Sequence, residues 1–261
     1  MKAIIRFSNA ILCSLGILLI AYGCPSSPDG NGNGIADYEL WVVLEKNLDA
    51  NSDNLSVEFR HDGDPVSGGS VSVAGDPIIT FDNNGNAQKS YSLGQWTTGA
   101  WIHIIARDST GAAVYRDSIV IPSEFLVNVF PEDQPWRPGQ TLPRIEWGTS
   151  IMATNYAISV RARTAGNAPR GFAEYYQSAQ ALSQTFQQSV FSDIFDNVIP
   201  DMYDIHVVAS SPNFIEPSTA HAYRTPDFDD IPQPIDDDDV TGAIAALCVA
   251  ERVTVSVETL Q

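Results

Sequence analysis

The chain has 261 residues, 32 acidic against 14 basic, and a formal net charge of −18. A surface this acidic repels phosphate, which excludes nucleic acid and disfavours anionic lipid headgroups as electrostatic partners. Three cysteines, at positions 13, 24 and 248, are too few for a disulfide scaffold. Taken in order, the chain begins with Lys2 and Arg6 and no acid through Phe7, then a mostly apolar run over residues 10–20 and the ending Ala21-Tyr22-Gly23-Cys24. A basic start, a short apolar segment and small residues before a break read as a secretory signal over residues 1–23. The apolar run is well short of the roughly 20 residues that a helix needs to cross a bilayer. No later stretch is long and apolar enough for a transmembrane helix, so none is expected after the signal.

Ala21, Tyr22, Gly23 and Cys24 resemble the lipobox of bacterial lipoproteins, in which a final Cys becomes the acylated N-terminus. The match departs at the first two positions, where Leu and a small residue are commoner than Ala21 and Tyr22. The resemblance implies a thioether-linked diacylglycerol on Cys24 and an amide-linked acyl chain, the multiple anchors that stable attachment requires. It also implies a place in the bacterial cell envelope, lipid-anchored, on the outer membrane where the host has one. The competing reading is an ordinary signal cleaved after Gly23, with Cys24 an incidental thiol.

Residues 24–37 are rich in Gly, Asn, Ser and Pro and read as a flexible tether. Within it Asp29, Asn31, Asn33 and Asp37 take alternate ligand positions of an acid-rich calcium loop, with Gly34 at the sharp turn. The run is similar to a thrombospondin type 3 or dockerin-like calcium repeat, a resemblance that implies Ca2+ as the one cofactor. It departs at the last ligand position, where Leu40 stands and the nearest acid, Glu39, is one place early. The alternative is a polar linker whose glycines happen to alternate.

Residues 38–122 alternate apolar and polar side chains in short runs. Leu40–Leu44, Val57 with Phe59, Val71 with Val73, and residues 77–81, 90–93, 101–105 and 114–121 make about seven strands with turns between them and no helix. That spacing predicts an Ig-like antiparallel sandwich. Asp82-Asn83-Asn84-Gly85-Asn86 and Asp108-Ser109-Thr110-Gly111 are its clearest turns. Residues 125–215 predict a second sandwich. Here Ile145 and Trp147, Tyr156 and Ile158, and residues 198–209 resemble the second, third and sixth strands of a fibronectin type III domain. Tyr203 then corresponds to that family's corner tyrosine, its hydroxyl bonding a nearby backbone group. The departures are Asp201-Met202 before the Tyr and an insertion around residues 161–181, in and just after which Phe172, Tyr175, Tyr176, Ala179, Leu182 and Phe186 recur at helical spacing. A short helix on the sandwich edge is expected there, with a bent strand as the rival.

Residues 216–240, loaded with Pro and Asp, read as an extended acidic linker. Residues 241–261 return to alternation at Val253, Val255 and Val257. So short a tail either adds to a sheet already present or begins a third domain. The class is therefore all-β, two tandem antiparallel β-sandwiches (Ig-like and fibronectin type III-like) after a cleaved signal.

No His-Glu-x-x-His, Cys-x-x-Cys, Gly-x-Ser-x-Gly or phosphate-loop pattern occurs, and His61, His103, His206 and His221 share no ligand spacing. The expectation is no enzyme and no catalytic residue. Two functions fit. One is a non-catalytic, membrane-anchored surface lipoprotein that displays its sandwiches for structural, adhesive or partner-binding roles. The other is a glycan- or small-ligand-binding module, or an accessory subunit of an enzyme on another chain, in which Trp96, Trp101 or Trp136 would stack on sugar rings.

Overall fold

A computed structural model of the chain describes residues 38–78, 80–132, 134–164, 172–193, 195–211 and 240–259. The described chain is nearly all β. Eight strands build the first sandwich: β1 (Tyr38–Asn47), β2 (Ser52–His61), β3 (Asp64–Pro65), β4 (Ser70–Val73), β5 (Asp76–Ile78), β6 (Asn86–Ser92), β7 (Trp101–Arg107) and β8 (Ala113–Val120). The second is built from β9 (Val127–Phe130), β10 (Arg144–Trp147), β11 (Asn155–Ala162), β12 (Phe172–Ser178), β13 (Ser183–Thr185) and β14 (Asp201–Ser211), with one 3₁₀ turn at Gln188–Phe191. Two strands close the chain, β15 (Val240–Val249) and β16 (Val253–Val257).

The final pair couples the two halves. β15 runs parallel to β1 along its whole length, from Tyr38 opposite Val240 to Asn47 opposite Val249. Its last four residues also pair antiparallel with β14, and β16 continues along the same strand. One sheet therefore runs unbroken through both sandwiches in the order β12-β11-β14-β15-β1-β2-β3. Separate sheets, β5-β4-β7-β8 and β13-β10-β9, cover its two ends. Of the alternatives for the tail, the structure shows addition to a sheet already present. The β1–β15 pairing is parallel, within sandwiches whose other paired strands run antiparallel as expected. Alternation along β15 does not disclose it, because a strand buried on both faces reads as a continuous apolar run in either direction.

The register sets the two sandwiches end to end. β1 reaches the junction at Asn47, β8 delivers the chain to it at Val120, and β9 leaves from it; β14 returns to it at Ser211. The first core gathers Leu40, Val42, Leu44, Leu55, Val57 and Phe59 against Val71, Val73, Ile102 and Ile104. The second gathers Trp147, Tyr156, Ile158, Val160, Ile205 and Val207 around Trp136, Phe186 and Phe191. On β15, Ile244 and Ala246 enter the first core while Cys248 enters the second. Tyr203 is fully buried and its hydroxyl donates to the Ile199 carbonyl at 3.1 Å, the corner bond expected of it. Burial, with Asp201 nearby, pushes that phenol up to about 12.

The expected helix over residues 161–181 is not formed where the chain is described. Residues 172–178 are the edge strand β12, paired antiparallel to β11 with Ala157 opposite Tyr176 and Ile158 opposite Tyr175. Helical spacing and strand alternation coincide over so few positions, and the open edge of β11 decides between them. At the Asp82 turn, Asp82 accepts from the backbone N–H groups of Asn84 and Asn86. Gly85 there has φ of +81°, and an added Cβ would meet the Phe59 carbonyl at 3.0 Å.

Glu58, almost fully buried on β2, has its Oε1 against Arg60 and its Oε2 without a partner among the described residues. Burial raises the carboxyl above the ordinary range; Arg60 opposes this without cancelling it. A raised carboxyl burdens the folded state only where it ionises. The burden is absent in acid, below the unfolded value, and grows as pH climbs through the folded one. Glu58→Gln removes that titration, so the stability difference between variant and parent shifts in the variant's favour from pH 4 to pH 7. Urea midpoints at the two pH values measure it, and a constant difference would contradict the assignment.

Candidate functional site

Cys24, Asp29, Asn31, Asn33 and Asp37 lie outside the described residues. What the structure does describe is the junction between the sandwiches, where polar and apolar groups meet. Lys46 near the end of β1 and Asp53 near the start of β2 are cross-strand partners. Both point inward, and Lys46 reaches Glu124 of the connecting segment at 3.2 Å. On the other side Arg252, at the corner between β15 and β16, joins Asp49 of the β1–β2 turn and Asp204 of β14. Burial would raise the Asp204 carboxyl, but Arg163 and Arg252 outweigh it and hold it below the ordinary range.

Apolar residues lie on the segments that flank this connection. Trp101 starts β7 opposite Val120, next to Ile121, whose carbonyl accepts from Gly99. Ser123 exchanges backbone and hydroxyl hydrogen bonds with Ile151. Gly148 donates to the Leu126 carbonyl and Trp147 to that of Leu182. These bonds place Trp101 at the junction end of the first sandwich, and Leu126, Ile151, Met152 and Leu182 at the facing end of the second. Their side chains stay in water: Trp101 is 65% exposed, Leu126 74% and Ile151 65%.

The tryptophans correct the sugar-stacking expectation in two places. Trp96 is buried, with its edge toward Tyr91 at 5.2 Å, and Trp136 is buried against Phe191 at 5.3 Å. Of the three candidates, Trp101 is the exposed one. The alternation of β7 puts Ile102 and Ile104 inward and Trp101 and His103 outward. A tryptophan in a strand takes the face that its parity assigns, whatever its hydrophobicity.

The other chemistry-bearing groups are housed as follows. His103 Nδ1 lies 2.6 Å from Ser118 Oγ on an open sheet face. That setting does not exclude water, and a serine nucleophile also needs its base oriented by a third group. His206 is half-buried, and burial draws its imidazole below the ordinary range, against Asp49 and Asp204. His61 stacks on Tyr38 at 4.6 Å. Cys248 is buried, and burial pushes its thiol up to about 12 with Glu124 adding to the effect. A thiol held protonated is not a nucleophile. Among the described residues no group of three or more His, Cys, Asp or Glu is placed to hold a metal ion. No helix among them is long and apolar enough to cross a membrane.

No family model matches the chain and no curated protein matches it. Among solved structures it is similar to a cytokine receptor complex, at 11% identity and TM-score 0.33 over 83% of this chain and 95% of that one. The chicken CNTN1 FN1–FN3 domains share 13% identity and TM-score 0.29 over 69% of this chain and 63% of theirs. The fibronectin(III)-like modules of Clostridium thermocellum CbhA share 11% identity and TM-score 0.23 over 84% and 94%. At these identities and TM-scores none of the three carries a function across to this chain.

Proposed function

We propose that this protein is a non-catalytic surface lipoprotein of the bacterial cell envelope, anchored through acylated Cys24, that holds its two sandwiches off the membrane and engages a protein partner at their junction. The observation that supports the binding role is that Trp101, Leu126 and Ile151, large apolar side chains, stay exposed on strands and turns that adjoin the segment joining the two sandwiches, while the cores on either side are closed. The described chain starts at Tyr38, at the end of the first sandwich remote from the junction. A tether entering there sets the junction one sandwich length from the anchor. A protein partner is favoured over a glycan because the two other candidate platforms, Trp96 and Trp136, are core residues.

Anchoring is tested at Cys24. The Cys24→Ser variant leaves the membrane fraction for the soluble one, while the parent stays with membranes until detergent is added. Retention of the variant in the membrane fraction would refute the anchor. On the same reading residues 29–37, through Asp29, Asn31, Asn33 and Asp37, take up Ca2+ weakly and stiffen the tether. Calcium at about millimolar level, the range of extracellular calcium modules, then slows proteolysis within this segment. Equal cutting rates with calcium and with chelator would dismiss the site.

A further inference from the structure

The junction holds a pair of side chains whose surroundings differ from those of an ordinary ion pair. Lys46 and Asp53 occupy core-facing positions, in step with Leu44 on β1 and Leu55 on β2. Their side chains are 4% and 0% exposed, with Nζ 3.8 Å from Oδ1. Asp53 Oδ2 accepts two main-chain hydrogen bonds, from Gly94 and Trp96, each at 2.9 Å. Oδ1 has no hydrogen-bond partner among the described residues. Lys46 Nζ is also held by the Trp96 carbonyl at 3.5 Å and by Glu124 at 3.2 Å. Glu124 is half in water.

A buried ion pair recovers its desolvation cost only when geometry is close and every remaining lone pair is used. Neither condition is met here. The contact is long and one carboxylate oxygen is idle. Converting the pair into an amide would remove both charges from the interior, and the resulting carbonyl would keep the two main-chain donors now on Oδ2. Those donors also sit where an oxyanion on Asp53 would develop. The amine is held beside its electrophile by a cross-strand register, which replaces a bimolecular encounter by an intramolecular one and supplies an effective concentration of about 10⁵ M or more.

We propose that Lys46 and Asp53 are joined by an intramolecular amide bond formed within the folded chain. A proton passes from Lys46 Nζ through Glu124 to Asp53 Oδ1, and the neutral amine then attacks Cγ of the neutral carboxyl, forming the N–C bond. Oδ2 carries the negative charge of the tetrahedral intermediate against the Gly94 and Trp96 N–H groups. The Cγ–Oδ1 bond then breaks, and Oδ1 leaves as water with two of the three ammonium protons, one of them the proton passed through Glu124. The third stays on the amide nitrogen. Nothing is oxidised or reduced, and the ammonium and carboxylate charges cancel, so the net charge of the chain is unchanged. The bond would clamp the β1–β2 hairpin at the level where β15 passes from one sandwich to the other.

The test is peptide mass analysis of the full-length folded protein. Cleavage after Glu45 and Glu58 releases residues 46–58, which contain both partners. The expected peptide is lighter than its sequence by one water, resists trypsin after Lys46, and gives fragment ions that place the loss between Lys46 and Asp53. In Lys46→Arg the same peptide has its full sequence mass, which separates the bond from dehydration at an aspartate alone. In Glu124→Gln freshly folded protein shows the uncrosslinked peptide first and the lighter one later. A parent peptide at full mass that trypsin cuts after Lys46 would overturn the proposal and leave an ion pair only. So would a water loss confined to Asp49 or Asp53.

Discussion

Deleting residues 240–261 abolishes folding of both sandwiches, not only of the second. The deletion takes out β15 from the middle of the continuous sheet, where it pairs with β1 on one side and β14 on the other, and β16 from beside β14. Each buried Val, Leu or Ile side chain contributes about 1.5–3 kcal/mol. Val240, Ile244, Leu247, Val255 and Val257 are all buried, together with Ala245, Ala246 and Cys248. The five large side chains alone account for about 7–15 kcal/mol, as much as the roughly 5–15 kcal/mol by which a whole domain is stable. The truncated chain also bares the facing edges of β1 and β14, which are templates for aggregation. The expected readout is an insoluble or non-cooperatively unfolding product whose near-ultraviolet circular dichroism is flat. Adding a synthetic peptide of residues 240–258 during refolding restores part of the signal by occupying the vacant position. A truncated protein that melted cooperatively, with the first sandwich intact, would show that the pairing of β1 with β15 is dispensable.

Much of this architecture was legible from local pattern. Val57 and Phe59, Val71 and Val73, and Ile102 and Ile104 face inward as their alternation predicts, because a period of two against a single core leaves only one register. Tyr203 was legible because a tyrosine at that point of a sandwich has a backbone carbonyl within reach. Pairing between distant segments was not. Nothing in the residues of β15 names Tyr38–Asn47 as its neighbour, since its small apolar side chains suit any strand buried on both faces. The exposed apolar residues beside the junction were illegible for a related reason. Leu126, Ile151 and Trp101 lie in or beside turns, and only the pairing of β8, β9 and β10 fixes where those turns end. The Lys46–Asp53 pair shows both cases. Its two residues are polar where the alternation of β1 and β2 calls for apolar ones, a signal present in the sequence. The main-chain donors from Gly94 and Trp96 come from a loop whose position only the fold supplies.

Trp136 is expected to be the costliest single truncation in the second sandwich. Its ring is fully buried against Phe191, and its backbone ties the segment before β10 to the last strand. The Trp136 N–H donates to Ser256 at 2.8 Å and its carbonyl accepts from Glu258 at 2.9 Å. Those two bonds survive any side-chain change, so the effect of Trp136→Ala is a cavity effect, about 3–5 kcal/mol. For a cooperative unit of this size that lowers Tm by on the order of 10 °C. The indole Nε1 has no hydrogen-bond partner among the described residues. Replacing the indole by a benzene ring therefore breaks no hydrogen bond and relieves a buried donor, which offsets part of the lost volume. Trp136→Phe should accordingly cost less than half of what Trp136→Ala costs, whereas a tryptophan anchored through its N–H would lose most of its contribution in both. Thermal and urea unfolding of the two variants decide the matter. Equal losses would mean that the indole nitrogen is bonded after all, and a Trp136→Ala protein as stable as its parent would remove Trp136 from the core.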